Sequence, residues 1–130
     1  MAVLRDAATG AIVAPNVERL SGFRARLVGL LARASVPRGQ GIWLNACGAI
    51  HTLGMRAAID VIFLDRSGCV LQLDRHVAPN RPLLSCRGAI AVVELGSGTL
   101  DASALTIGDR LELVPDEGFS GAASITARRR

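Results

Sequence analysis

The chain has 130 residues, 15 basic and 11 acidic, with half of its side chains hydrophobic and a fifth charged. That length and balance exclude a chain disordered throughout and fit a single compact domain over residues 1–130, burying roughly two-thirds of its unfolded surface. The net charge of +4 comes from arginine alone, three of the arginines forming the terminal Arg128–Arg130 run, and the four aromatics Phe23, Trp43, Phe63 and Phe119 are too few to interleave with it. A nucleic-acid surface is therefore not expected.

Residues 2–20 read as two short extended pieces around a turn at Thr9-Gly10, ended by Pro15. Residues 23–34 form the one convincing helical pattern. Phe23, Leu27, Leu30, Leu31 and Ala34 fall on a single stripe, Ser21 stands where an N-cap would, and Pro37 and Gly39 end it. Arg26 and Arg33 line the flank of that stripe. Residues 41–44 are a short apolar strand. Residues 45–56 are a long loop with two glycines, the kind of segment where function often sits.

Residues 59–64 are the central strand. Ile59, Val61 and Phe63 share one face, and Asp60, Ile62 and Leu64 share the other, so both faces are buried. Asp65-Arg66-Ser67-Gly68 is a turn, Asp bonding the turn backbone and Gly taking a positive φ. The strand returns over 69–73. Residues 76–88 form a proline-containing loop, and 89–95 are another buried strand, broken at Gly96-Ser97-Gly98. One helical turn follows over 101–105 and a last strand over 110–114. The core is expected over about 20–114, with 115–130 a frayed basic tail. The fold class is β-rich, all-β to α+β: a small barrel or sandwich with one main helix packed on it.

Cys47, Cys69 and Cys86 have no close spacing, which suits free thiols and a reducing, cytoplasmic setting. The N-terminal residues lack a signal-peptide pattern, and no apolar run approaches the ~20 residues a spanning helix needs.

The chemistry is sparse. Cys47, His51 and Met55 follow one another at intervals of four. In extended chain each step is ~13 Å, too far for a shared metal, and His76 or Cys86 would have to be recruited to complete a ligand set. No metal and no cofactor are expected. Asp60 and Asp65 lie ~16 Å apart on opposite faces of a strand, whereas glycosidase carboxylates sit ~5–9.5 Å apart. Gly96-Ser97-Gly98 is not a nucleophile elbow. A carboxylate in a strand buried on both faces needs a partner, and Arg26, Arg33 and Arg56 are the candidates.

Taken together, Arg26-x-x-Gly29-Leu30-Leu31-x-Arg33, then Cys47-x-x-Ile50-His51-Thr52-x-Gly54-Met55-x-x-x-Ile59-Asp60-Val61-x-Phe63-Leu64-Asp65-x-x-Gly68, then Ala89-x-x-Val92-x-Glu94-Leu95 and Gly108-Asp109 resemble the prokaryotic domain-of-unknown-function family 192, over about residues 20–114. The resemblance implies a compact β-rich fold with a packed helix and supplies no catalytic residues. The chain departs from the family pattern at Ala57-Ala58, where relatives tend to carry a bulkier residue and proline. Many relatives carry an export signal, a feature not read in this sequence.

The expected function is a small non-enzymatic binding domain. Arg26, Arg33, His51, Met55, Arg56 and Asp60 would converge on one site for an anionic small molecule or a partner's carboxylate. Two alternatives stand beside it. One is a metal-dependent or Cys/His hydrolase-like enzyme using Cys47, His51 and Asp60. The other is a motif that only specifies the fold.

Overall fold

The computed structural model describes residues 2–21 and 36–115. Its strands are β1 (Ala2–Asp6), β2 (Ile12–Leu20), β3 (Gln40–Asn45), β4 (Ala49–Ile50), β5 (Ile59–Leu64), β6 (Val70–Val77), β7 (Leu84–Ser85), β8 (Ala91–Gly96) and β9 (Leu111–Pro115). Among the described residues the helical element is one 3-10 turn, Leu100–Ala102. The helix expected over 23–34, with Arg26 and Arg33, lies outside the described residues, as does 116–130.

Seven strands form one mixed sheet in the order β6-β5-β8-β3-β2-β1-β9, and β4 pairs with β7 in a separate ribbon. The β2–β3 pair is parallel and its neighbours are antiparallel. A parallel pair needs a crossover of about a dozen residues or more, and residues 21–39 supply that length. Pro15 does not end β2. It falls in an irregularity of register between Ala2↔Val17 and Leu4↔Ala14, where the missing N–H breaks no ladder bond.

The sheet curls. In a flat sheet β6 and β9 would lie roughly 29 Å apart, six strand spacings. Instead Cys69 bridges Arg110, and Val70 N–H donates to Asp109 O at 2.8 Å. Side chains from both ends of the sheet consequently meet: Leu4, Val17, Trp43, Ile62, Leu64, Val70, Val93, Leu95, Leu100 and Leu111 form one buried cluster. The expected small barrel is corrected here. The edges touch at one corner and do not zip, because the contacts stop near residue 70 and β6 then runs on into a bulge. A sandwich is not formed either, since the second sheet is only the β4–β7 ribbon.

The other face of β3, β5 and β8 carries Ile42, Leu44, Ile59, Val61, Phe63 and Val92, packed with Cys47, Ile50, Met55, Val77 and Leu84. Every residue of β5 is buried, and its alternation places Asp60 on the inner, curled side with Ile62 and Leu64, as the sequence pattern predicts. At the β5–β6 turn, Asp65 Oδ1 accepts from the Ser67 hydroxyl and from the Ser67 and Cys69 amides. Those bonds, the Ser67 hydroxyl foremost, hold the Asp65 carboxyl below the usual carboxylate range.

Candidate functional site

Asp60 is fully buried. An acidic side chain there must find hydrogen-bond donors or give up its charge. The donors are backbone amides. Oδ1 accepts from His76 N–H at 2.9 Å. Oδ2 accepts from Gly98 N–H at 3.1 Å and Leu100 N–H at 2.8 Å. The expected arginine partner is thus corrected: among the described residues no guanidinium pairs with Asp60, and Arg56 is exposed. Arg38 does reach the same turn, but its Nε and Nη2 donate to Gly98 O at 3.2 and 3.0 Å.

One carboxylate therefore fixes two separate backbone segments. The first is a bulge in β6. The register passes from Ile59↔Val77 to Val61↔Asp74, so Arg75 and His76 together oppose Asp60. His76 takes a left-handed φ of 51°, and its N–H turns in to Asp60. Bulges re-aim side chains and recur beside active sites. The second segment is the turn after β8. Its backbone packs so closely that a Cβ on Gly96 would lie 2.1 Å from Pro37 O. Thr99 Oγ1 donates to Gly96 O at 2.6 Å and accepts from Gly39 N–H at 3.0 Å.

The re-aimed His76 ring spans the two segments. Its Nδ1 lies 2.5 Å from Ser97 Oγ and its Nε2 lies 2.7 Å from Asp101 Oδ2. Arg75 Nε stands 3.7 Å from Asp101 Oδ1. Beside this cluster runs an open groove of about 550 Å³, its walls including Asp74, Arg75, His76, Arg81 and Leu84. The Asp74 carboxylate is engaged by Gln72 Nε2 at 2.7 Å. Sequence reasoning missed this group. The sequence offers His76 as a spare metal ligand or as a partner for a Cys47 thiolate, and Ser97 as a strand break; the one available signal is Ser97 between two glycines with Asp101 four residues on.

The residues singled out from the sequence lie elsewhere. His51 is half-buried, and its Nδ1 accepts from Leu53 N–H at 3.2 Å. Met55 is core, 7% exposed, packed on the outer face. Cys47 is also on that face, its thiol donating to Ala49 O. Asp60 points to the inner face, so the structure does not bring it together with Cys47 or Met55. The loop 51–55 is nevertheless tied to the loop bearing Arg81. Thr52 Oγ1 donates to Ala78 O and accepts from Arg81 N–H, both at 2.8 Å, and Thr52 N–H donates to Arg81 O at 2.9 Å. Among the described residues, no three His, Cys, Asp or Glu side chains are placed to share a metal ion.

Glu94 is a second buried carboxyl, on the outer face of central β8 between Ile42 and Val61. It is 2% exposed, and among the described residues its Oε2 has no hydrogen-bond partner. Burial pushes its pKa from 4.5 up to about 8, so the group is mainly neutral at pH 7.

Fold and site together define a curled mixed-sheet domain whose polar centre is built by a buried aspartate. The model of the uncharacterised family DUF192 matches residues 4–113, and the chain belongs to that family. No curated protein matches it. Two solved structures share the fold. One is a Sinorhizobium meliloti protein described as a candidate transcription regulator, at TM-score 0.71 and 21% identity, covering 86% of this chain and 91% of that one. The other is a Novosphingobium aromaticivorans protein of unknown function, at TM-score 0.71 and 17% identity, covering 85% of this chain and 83% of that one. Among the described residues no helix is long and apolar enough to cross a membrane.

Proposed function

We propose that the chain is a small binding domain for an anionic ligand, either a small carboxylate or phosphate or a carboxylate of a partner protein. The observation that carries this is the groove beside β6. Arg75, His76 and Arg81 line it, and Asp74, the one acidic lining residue among those described, is already engaged by Gln72. Guanidinium groups on the wall of a concave, polar site suit carboxylate and phosphate oxygens, which they meet in pairs.

The ligand set read from the sequence changes accordingly. His51 and Arg56 sit on the loop that Thr52 ties to the Arg81 loop, and they remain candidates beside the groove rather than on its wall. Asp60 serves from beneath by holding the His76 bulge, and Met55 anchors its loop in the core. Arg26 and Arg33 remain candidates outside the described residues. Nucleic acid is not part of this reading. The three cysteines, each a free thiol, support the cytoplasm as its setting.

The test is an amide chemical-shift titration of the full chain with inorganic phosphate and with citrate. Saturable shifts confined to residues 74–85 are expected, weakened about tenfold in Arg81→Ala, the loss of one charge-assisted contact. No saturable shift at millimolar anion overturns the reading. So does a His51→Ala, Arg56→Ala, Arg81→Ala triple variant that binds as the parent does.

A further inference from the structure

We propose that Ser97, His76 and Asp101 form a nucleophilic relay, and that the chain hydrolyses small carboxylic esters by acylation of Ser97. The substrate class, an ester bearing a carboxylate or phosphate group, rests on the groove reading above; the relay itself does not.

Donor and acceptor counting gives the hydrogen-bond pattern of the neutral ring. An ionised Asp101 only accepts hydrogen bonds. The 2.7 Å contact with His76 Nε2 therefore requires the ring proton on Nε2. In the neutral ring Nδ1 is then an acceptor, and the 2.5 Å contact places the Ser97 hydroxyl proton on it. This is the tautomer in which a serine is ready to lose its proton to histidine. The two ring nitrogens are exchanged relative to the commonest serine–histidine–aspartate arrangement, but the chemistry requires only one basic nitrogen and one that donates.

Preorganisation is the second support. His76 and the residue after Ser97 are held by the two oxygens of the same Asp60 carboxylate. The strained left-handed φ of His76, 51°, is what brings its ring across to Ser97. Access is the third. The His76 side chain is 54% exposed and lines the groove with Arg75 and Arg81.

The step balances. Ser97 Oγ bonds to the ester carbonyl carbon while its proton passes to His76 Nδ1, and the carbonyl electron pair moves onto oxygen. The tetrahedral species collapses, the C–O bond to the alcohol breaks, and His76 returns the proton to the departing alkoxide. Water then repeats the sequence on the acyl-Ser97 ester, with His76 taking its proton, and the acid leaves with Ser97 restored. Net, ester and water give acid and alcohol. The Gly98, Thr99 and Leu100 amides are already committed, to Asp60, Gly96 O and Asp60. With none of these three amides free to hold the oxyanion, turnover is slow compared with enzymes that have a full amide oxyanion hole.

The experiment uses the full chain with a fluorophosphonate serine probe and peptide mapping. Single-site labelling at Ser97 is expected, absent in Ser97→Ala and slowed about a hundredfold in His76→Gln, the loss of general-base help. Circular dichroism of His76→Gln reports whether the fold survives. Asp101 is a positioning residue: Asp101→Asn slows labelling and Asp101→Glu restores most of it, which a merely structural contact would not do. No labelling of Ser97 overturns the relay, as does labelling undiminished in folded His76→Gln or in Asp101→Asn. Parallel assays compare p-nitrophenyl acetate with its carboxylated analogue p-nitrophenyl succinate. Faster cleavage of the succinate supports the charged-substrate class. Equal rates with His76-dependent labelling keep the relay and overturn that class alone.

Discussion

Replacing Glu94 with glutamine isolates the electrostatic weight of the second buried carboxyl. In the folded chain burial raises the Glu94 pKa from its ordinary 4.5 to about 8. A raised folded value means the native state holds the proton more tightly than the unfolded chain. Stability is therefore full below pH 4.5 and falls as pH rises from there to about 8. At about 1.4 kcal/mol per pH unit, the whole window is worth up to about 5 kcal/mol. Urea unfolding of the parent and Glu94→Gln, each at pH 5 and pH 8.5, reads this as a double difference in which the other carboxylates cancel. The parent should lose about 3–5 kcal/mol more than the variant across the window. Glu94→Leu, which removes the buried carboxyl altogether, should exceed the parent in stability at pH 8.5. Parallel pH profiles of parent and glutamine variant would refute the reasoning, because they would mean that Glu94 reaches water or a partner in solution.

Four further outcomes follow from the described contacts. Asp60→Ala leaves two buried amides and one part-buried amide without an acceptor and should cost on the order of 3–5 kcal/mol in chemical denaturation. Gly96→Ala sets a Cβ 2.1 Å from Pro37 O and should destabilise by more than about 2 kcal/mol. Gly54→Ala, with open space around it but a φ of +83°, should cost only about 1 kcal/mol by thermal unfolding. Arg19 lies over the Trp43 ring at 4.9 Å and bonds Asn45 Oδ1. Arg19→Ala should cost about 0.5–1 kcal/mol and alter the fluorescence of Trp43, the chain's single tryptophan.

Local pattern carried much of this fold. The β5 alternation placed Asp60 on the correct face, and Asp65 with Gly68 marked the following turn, because those features depend on neighbours in sequence. Family membership was legible for the same reason: the motif from Cys47 to Gly68 is contiguous. What eluded the sequence depends on distant groups. The His76 bulge exists because a side chain sixteen residues earlier captures its amide, and no turn residue announces it. Ser97, His76 and Asp101 come together only through that bulge and the turn after β8. The arginine expected for Asp60 was a reasonable inference from charge alone, yet backbone amides from a tight turn satisfy a carboxylate equally well. Glu94 sits in a strand as wholly buried as that of Asp60, so the burial argument that singles out Asp60 applies to it equally. Barrel closure turned on whether β6 and β9 share one bridge or a full ladder, and strand periodicity is silent on that.

Amide hydrogen exchange at His76, Gly98 and Leu100 tests the organising role of Asp60 most directly. Slow exchange of all three in the parent is predicted, with all three accelerated together in Asp60→Asn while amides of the distant β1–β9 pair keep their protection. Fast exchange at these amides in the parent, or protection that survives the substitution, would contradict it.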